Sequence, residues 1–281
     1  MLASAPSLTT ARPHVQTLKI AKKTLKRIVP FALTVIFIPK ILAFFVCCGL
    51  ADVLRNQHRT VSTFNRYFTG NGICTWLLSP FNLVMDVFAL PFRNKGIYKL
   101  ADLPPAYQDE INSIITAAHE SRLIERLESK MEGQKRGMLF FKWYGKNVAS
   151  SVDVPEFHRP YKFIRTIGVS IFNKKQSTGK HYGPLRVTLR VLYNINPIDS
   201  RDVYIKVGNK THFWNENQLF IFDDTLQHQS VNEADAVRYC MFVDILRPSY
   251  LPGLFSAILS CVRVFIARFN SAFYKNWTFL K

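Results

Sequence analysis

Between Gly137 and Pro248, seven short runs rich in aromatic and β-branched residues succeed one another with no helical stretch between them: MLFFKWYG, FIRTIGVSIF, LRVTLRVLYNI, DVYIKV, THFW, QLFIFDD and VRYCMFVDIL. Such residues fit the pleated surface of a sheet, and runs of this length bounded by turn formers predict strands. Gly208 and Asn209 separate VYIKV from KTHFW, a two-residue hairpin signal. Many short strands without interleaved helices point to a sandwich or jelly roll and away from an alternating α/β sheet.

The flanking regions obey other rules. Residues 104–132 place Tyr107, Ile111, Ile114, Ile115, Ala118, Leu123, Ile124 and Leu127 at roughly helical intervals, which predicts a helical lead-in. Upstream, Lys19, Lys22, Lys23, Lys26 and Arg27 run into an apolar stretch over 28–51, long enough for an uncleaved membrane anchor but interrupted by Pro39 and Lys40. A second apolar run, 73–92, carries Pro80, Asn82, Asp86 and Pro91, residues costly against lipid, and reads as interfacial or as a weak second span. The segment 251–279 has Arg263, Arg268 and Lys275 among apolar residues, as expected of a basic helix lying on a membrane or of a terminal helix packed on the core.

Charge narrows the partners. The 281 residues hold 37 Lys and Arg against 19 Asp and Glu, a net +18, which favours anionic surfaces. No nucleic-acid reader motif accompanies that charge, so a membrane, not nucleic acid, is the expected partner. Five cysteines without paired spacing give no disulfide framework.

Four residues stand in settings that invite chemistry. His181 follows the loop QSTGK, and His228 follows the strand and acids of FIFDDTLQ. Two imidazoles with open positions beside them suit Fe(II), although a histidine at a strand end also serves as an ordinary hydrogen-bonding residue. Arg190 and Arg238 lie in otherwise apolar strands, where a charge needs a partner. A dicarboxylate would supply one through parallel hydrogen bonds, and an ion pair with Asp223, Asp224 or Asp244 would serve equally.

Taken in order, HYGP, TLRVLYNI, FIFDDTLQHQ and VRYCMFVDILRP resemble the aspartyl/asparaginyl β-hydroxylase superfamily. FNRYF, LSPFNLVMDVFALP and LFFKWYG add a resemblance to its lipid A 2-hydroxylase branch. The resemblance spans about residues 63–248 and rests on the order of several motifs. It implies a mainly β protein with helical additions, whose catalytic domain is a double-stranded β-helix of cupin-like jelly-roll type. The implied organisation is a basic segment (1–27), a hydrophobic membrane-associated region (28–95), the helical lead-in (96–136), the oxygenase domain (137–248) and an amphipathic C-terminal helix (249–281).

The resemblance further implies Fe(II) and 2-oxoglutarate as cofactors with dioxygen as co-substrate. His181 and His228 would hold the metal, Arg238 with Ser170 the distal carboxylate of 2-oxoglutarate, and Arg190 the chelating side, while Lys142 and Trp143 become substrate-side candidates. The expected reaction adds a 2-hydroxyl to an acyl chain of a membrane lipid, lipid A-like or an amino-acid lipid. The expected location is the bacterial inner membrane with the catalytic domain facing the cytoplasm, and no oligomeric state is implied.

Two positions depart from the pattern. Gly183 stands where the lipid A branch has an acid completing a two-histidine, one-carboxylate set, an acid that the β-hydroxylases lack as well. Leu192 stands where both branches tend to place a histidine. Asp223 and Asp224 are expected to shape the turn before His228, and either is a conceivable substitute carboxylate. Gly183 keeps protein β-hydroxylation open as an alternative; Gly183 and Leu192 together keep open a non-catalytic membrane-bound scaffold.

Overall fold

The computed structural model describes residues 24–26, 28–32, 39–56, 58–70, 75–128, 134–268 and 278–279. Lys19, Lys22, Lys23, Arg27 and Lys275, with part of each apolar run, lie outside them. The chain divides into two compact units, residues 1–47 and 48–281. The described residues of the first are helical, and the helix α1 (Pro39–Val53) begins at the proline that interrupts the first apolar stretch. Among the described residues, no helix is long and apolar enough to cross a membrane.

In the second unit, α2 (Val61–Asn65) and α3 (Ser79–Phe88) precede a short strand β1 (Ile97–Tyr98), then the lead-in helices α4 (Pro105–Glu120) and α5 (Leu123–Glu128). Pro105 opens α4 at a position where a missing N–H costs nothing. The strands are β2 (Arg136–Trp143), β3 (Lys146–Asn147), β4 (Ile164–Phe172), β5 (Thr188–Asn194), β6 (Val203–Val207), β7 (Lys210–Phe213), β8 (Leu219–Phe222), β9 (His228–Asn232) and β10 (Arg238–Leu246). Helix α6 (Pro252–Arg268) and strand β11 (Thr278–Phe279) follow.

The large sheet runs β1-β8-β5-β10-β4-β2-β11, with β3 on β2; the small sheet runs β7-β6-β9. Pairing is antiparallel throughout except where β11 joins β2. The segment at His181 bridges β9 through His228 and so extends the small sheet by one strand position. Successive segments from β4 to β10 therefore pass back and forth between two facing four-strand layers, β8-β5-β10-β4 and β7-β6-β9-His181. That winding is a double-stranded β-helix. Gly208 turns the β6–β7 hairpin with a positive φ of 57°, a conformation open to glycine at little cost.

Alternation along the strands creates two cores. Leu189, Val191, Met241, Val243 and Ile245 point outward to meet Ile111, Ile114 and Leu127 of α4 and α5. Their neighbours Leu192, Phe220, Phe222 and Cys240 point inward to meet Val203, Ile205 and Val207 of the small sheet. A strand buried on both faces reads as one apolar run, which is why Arg190 and Arg238 look misplaced in the sequence. Each fully buried aliphatic side chain contributes roughly 1.5–3 kcal/mol. Glu110 of α4 adds a polar clamp, accepting from the backbone N–H groups of Lys162, Phe163 and Ile164 at 2.7, 2.9 and 3.0 Å where β4 begins.

Candidate active site

His181 and His228 face each other at the edge of the small sheet. Their backbones exchange two hydrogen bonds, His181 N–H to His228 O at 3.0 Å and His228 N–H to His181 O at 2.9 Å. The rings stand 4.1 Å apart between centroids. Each Nδ1 meets a backbone carbonyl, of Gly179 at 2.8 Å and of Leu226 at 2.9 Å. A carbonyl only accepts, so each Nδ1 carries the proton and each Nε2 is left with a lone pair. Burial lowers both imidazole pKa values, that of His228 well below the ordinary range, so both rings are neutral. Neutral imidazoles oriented through one nitrogen are ready to ligate through the other.

Asp224 lies beside this pair. Its Oδ1 is 3.3 Å from His228 Nε2, is buried and has no hydrogen-bond donor. With His228 neutral and protonated on Nδ1, two electron-rich atoms oppose each other there, an arrangement that a cation relieves. A Cβ built at Gly183 would collide with the Asp224 carboxylate, so the carboxylate fills the space in which a side chain at 183 would begin. Asp224, reaching in from the turn, thus sets a carboxylate against Gly183. As the side chains stand, no group of three or more His, Cys, Asp or Glu among the described residues is gathered for a metal ion. The donor set that fits Fe(II) is therefore the two imidazoles, with the Asp224 carboxylate adjacent.

The two arginines differ. Arg190 donates from Nε to Asp244 at 2.7 Å, approaches Asp224 Oδ2 at 3.3 Å and covers the Phe242 ring at 3.7 Å. These two carboxylates raise its pKa despite burial. Of the roles open to it in the sequence, the ion pair is the one formed, and it orients Asp224. Arg238 is only 1% exposed and has no salt-bridge partner among the described residues. One nitrogen donates to Ser230 Oγ at 2.7 Å, while Nε has no acceptor. Phe172 and Trp214 cover the guanidinium at 4.4 and 5.5 Å. Burial pushes its pKa down, with only the Cys240 thiol opposing.

Ser170 is buried, pairs in register with Cys240 and sits two residues from Phe172, the register partner of Arg238. Its hydroxyl donates to Cys240 O at 3.4 Å. Leu192 lines the same interior as plain apolar wall. Lys142 and Trp143 belong to the β2–β3 hairpin: Lys142 donates to Asn147 Oδ1 at 2.6 Å, its pKa lowered by burial and then by Arg165, and Trp143 stacks on Tyr144 at 4.9 Å. Lys175 lies within 3.4 Å of Asp235 on the exposed surface.

Asp223, the other half of the acidic pair, faces away from the histidines into a buried network. Arg55 donates to its Oδ2 at 2.7 Å, and Thr225 N–H to its Oδ1 at 2.9 Å. Arg186 bonds Asp52 and Asp86 and lies 3.6 Å from Asp223; Arg247 bonds Asp86. Three arginines thus meet three aspartates, and Arg55 and Arg186 hold the Asp223 carboxyl far below the usual range. The turn expected from FDDTLQH exists, fixed from outside the barrel. Sequence reasoning missed Ser230, Trp214, Arg55 and Arg186, whose signals appear only once distant segments meet.

The fold and site define a double-stranded β-helix protein with a paired-histidine centre and a buried arginine that has no carboxylate partner among the described residues. A family model for aspartyl/asparaginyl beta-hydroxylase matches residues 108–248, half of the chain, and the chain belongs to that family. It is similar to an ornithine lipid ester-linked acyl 2-hydroxylase of Rhizobium tropici, 33% identical over 33% of this chain and 33% of that one. It is also similar to the aspartyl/asparaginyl beta-hydroxylase of Mus musculus, 29% identical over 32% of this chain and 13% of that one. The chain thus spans a third or less of the length of these relatives. Among solved structures, a Bordetella pertussis cupin domain aligns at 13% identity over 30% of this chain and 81% of that one, TM-score 0.23. The double-stranded β-helix assignment rests on the strand order.

Proposed function

We propose that the chain is an Fe(II)- and 2-oxoglutarate-dependent hydroxylase that acts on an acyl chain of a membrane lipid. The observation that carries the cofactor reading is Arg238: a sealed guanidinium with an unused donor and no acid needs an anion, and the distal carboxylate of a small dicarboxylate supplies one. His181 and His228 would hold the metal through Nε2, their Nδ1–H groups anchored to backbone carbonyls. Asp224, steadied by Arg190, offers a carboxylate to the metal directly or through water. Iron bound with 2-oxoglutarate and dioxygen supplies the oxidising power to hydroxylate an unactivated carbon. The chain's own residues orient the cofactor, and the apolar wall formed by Leu192, Phe220, Phe222 and Phe242 keeps water from the reacting centre.

A lipid acyl substrate is supported by the similarity to the ornithine lipid hydroxylase and by the chain's net charge of +18. The reading places the chain at the bacterial inner membrane, catalytic domain toward the cytoplasm, where Fe(II) and 2-oxoglutarate are available. Protein β-hydroxylation is the second reading, favoured by Gly183 and by similarity to the mouse enzyme. The test is to express the chain in a bacterium whose lipids lack 2-hydroxylation and compare lipid extracts by mass spectrometry with those of His181→Ala. The expected result is a gain of one oxygen on an acyl chain only with the intact histidine. Unchanged lipids, from a protein shown to bind iron and 2-oxoglutarate, would remove the lipid reading and leave the protein-directed one.

A further inference from the structure

Helices α3 and α6 carry their polarity the wrong way round for a surface in water. On α3 the exposed residues are Val84, Val87 and Phe88, followed by exposed Leu90 and Pro91. The helix's single charge, Asp86, turns inward to Arg186 and Arg247. On α6 every exposed residue up to Phe265 is apolar or glycine, including Leu254, Ala257, Cys261, Val264 and Phe265. Its Arg263 turns inward and donates to Tyr144 O at 3.0 Å. The two helices meet through Met85, Ala89, Phe255 and Leu259, which form one buried cluster. Packed on one buried cluster, each presents an apolar outer side, with Val87 63%, Val264 67% and Phe265 61% exposed. A surface helix in water shows the opposite pattern, charge outward and apolar stripe inward. Exposed apolar faces of this kind mark interaction sites.

We propose that this two-helix face docks into one leaflet of an anionic lipid bilayer without crossing it. Helix α6, at 17 residues, is about 25 Å long, and its inner side is committed to Phe255 and Leu259, so it lies along the surface. Tyr250, 73% exposed where the two helices converge, has the amphipathic character suited to the headgroup level. Arg93 follows the C-terminal end of α3 as an exposed cation, and Lys95, also exposed, is paired with Asp102 at 2.8 Å. The choice between lipid and a second copy of the chain follows from charge: at +18 two copies repel, while anionic headgroups attract. The face is also clamped to the metal-site turn, because Asp86 shares Arg186 with Asp223. The proposal deepens the lipid-directed reading and rests on it only for the partner's class.

The test uses the full chain with Cys47, Cys48 and Cys74 changed to serine, leaving the buried Cys240 unreactive and Cys261 as the labelling site on α6. Cys261 carries a polarity-sensitive fluorophore, and vesicles of dioleoyl phosphatidylglycerol and phosphatidylcholine are added without iron or 2-oxoglutarate. The expected result is a blue shift at Cys261, quenched by spin-labelled acyl chains. A label placed instead by Arg201→Cys, with Cys261→Ser, should stay water-like. A Val87→Asp/Phe265→Asp variant should need about tenfold more lipid for half-maximal binding. A water-like Cys261 on vesicle-bound protein would overturn the proposal, as would shielding of Cys261 by self-association without lipid. Because turnover does not enter, a failed lipid hydroxylation assay leaves this result standing, and a failed insertion assay leaves the hydroxylase reading standing.

Discussion

Arg186 and Arg238 are both sealed from solvent, yet one is surrounded by acids and the other by aromatic rings. Arg186 meets Asp52, Asp86 and Asp223, within a set of three arginines and three aspartates. Arg238 meets Ser230, Phe172 and Trp214. Burial of a charge is tolerated only when it is compensated. The first site pairs its charges with carboxylates of the chain and belongs to the architecture: it joins residues 52–55, α3 and the end of β10 to the turn that carries His228. The second has no carboxylate partner among the described residues, the setting in which a bound anion would serve. The same residue type, equally buried, thus serves an ion-pair network in one place and keeps a donor free in the other according to what surrounds it.

That contrast makes predictions of descending size. Arg186→Met leaves buried carboxylates uncompensated and should destabilise the protein by about 3–5 kcal/mol in urea titrations. A loss no larger than that of Arg238→Met would break the distinction. Arg238→Met removes a charge that has no partner, so the protein should be no less stable, while 2-oxoglutarate binding by calorimetry weakens by roughly 2–5 kcal/mol. Retained affinity would show that the anion sits elsewhere.

The smallest effect is on pH dependence. The buried, neutral His228 has a folded pKa below its ordinary value of 6.5, so the unfolded chain takes up a proton first as pH falls. Its contribution is present above pH 6.5 and declines below it, by at most about 1.4 kcal/mol per pH unit. Asp223, also depressed, keeps its contribution until the pH falls below the ordinary carboxylate value of 3.8. Denaturation of the metal-free protein should show the histidine step near pH 6, reduced in His228→Ala to the part that His181 contributes, and the aspartate step only in stronger acid. A single step near pH 4 would mean that His228 is not held neutral.

Much of this was legible in the chain. The large-sheet strands and the Gly208 hairpin follow from residue type and spacing, and His181, His228 and Arg238 stand out by their settings. Strand β9, HQSVN, did not, because all its side chains but Val231 are polar. Ser230 bonds Arg238, and Asn232 donates to the carbonyls of Phe172, Asn173 and Ala236 at 3.3, 3.0 and 2.9 Å, so buried polar partners replace the apolar alternation that marks other strands. The second role open to Arg190 was visible, but its choice of Asp244 and Asp224 depends on register. The Arg186 network joins residues 100 and 134 positions apart and has no local signature.

The meeting of Gly183 and Asp224 has a consequence for how this chain can change over generations. Any side chain at 183 must first evict the carboxylate, and shortening residue 224 leaves a hole that glycine does not fill. Neither step is harmless alone, whereas an exchange of both keeps one acid beside the histidines. A side chain at 183 is therefore expected to be tolerated only together with a shorter residue at 224.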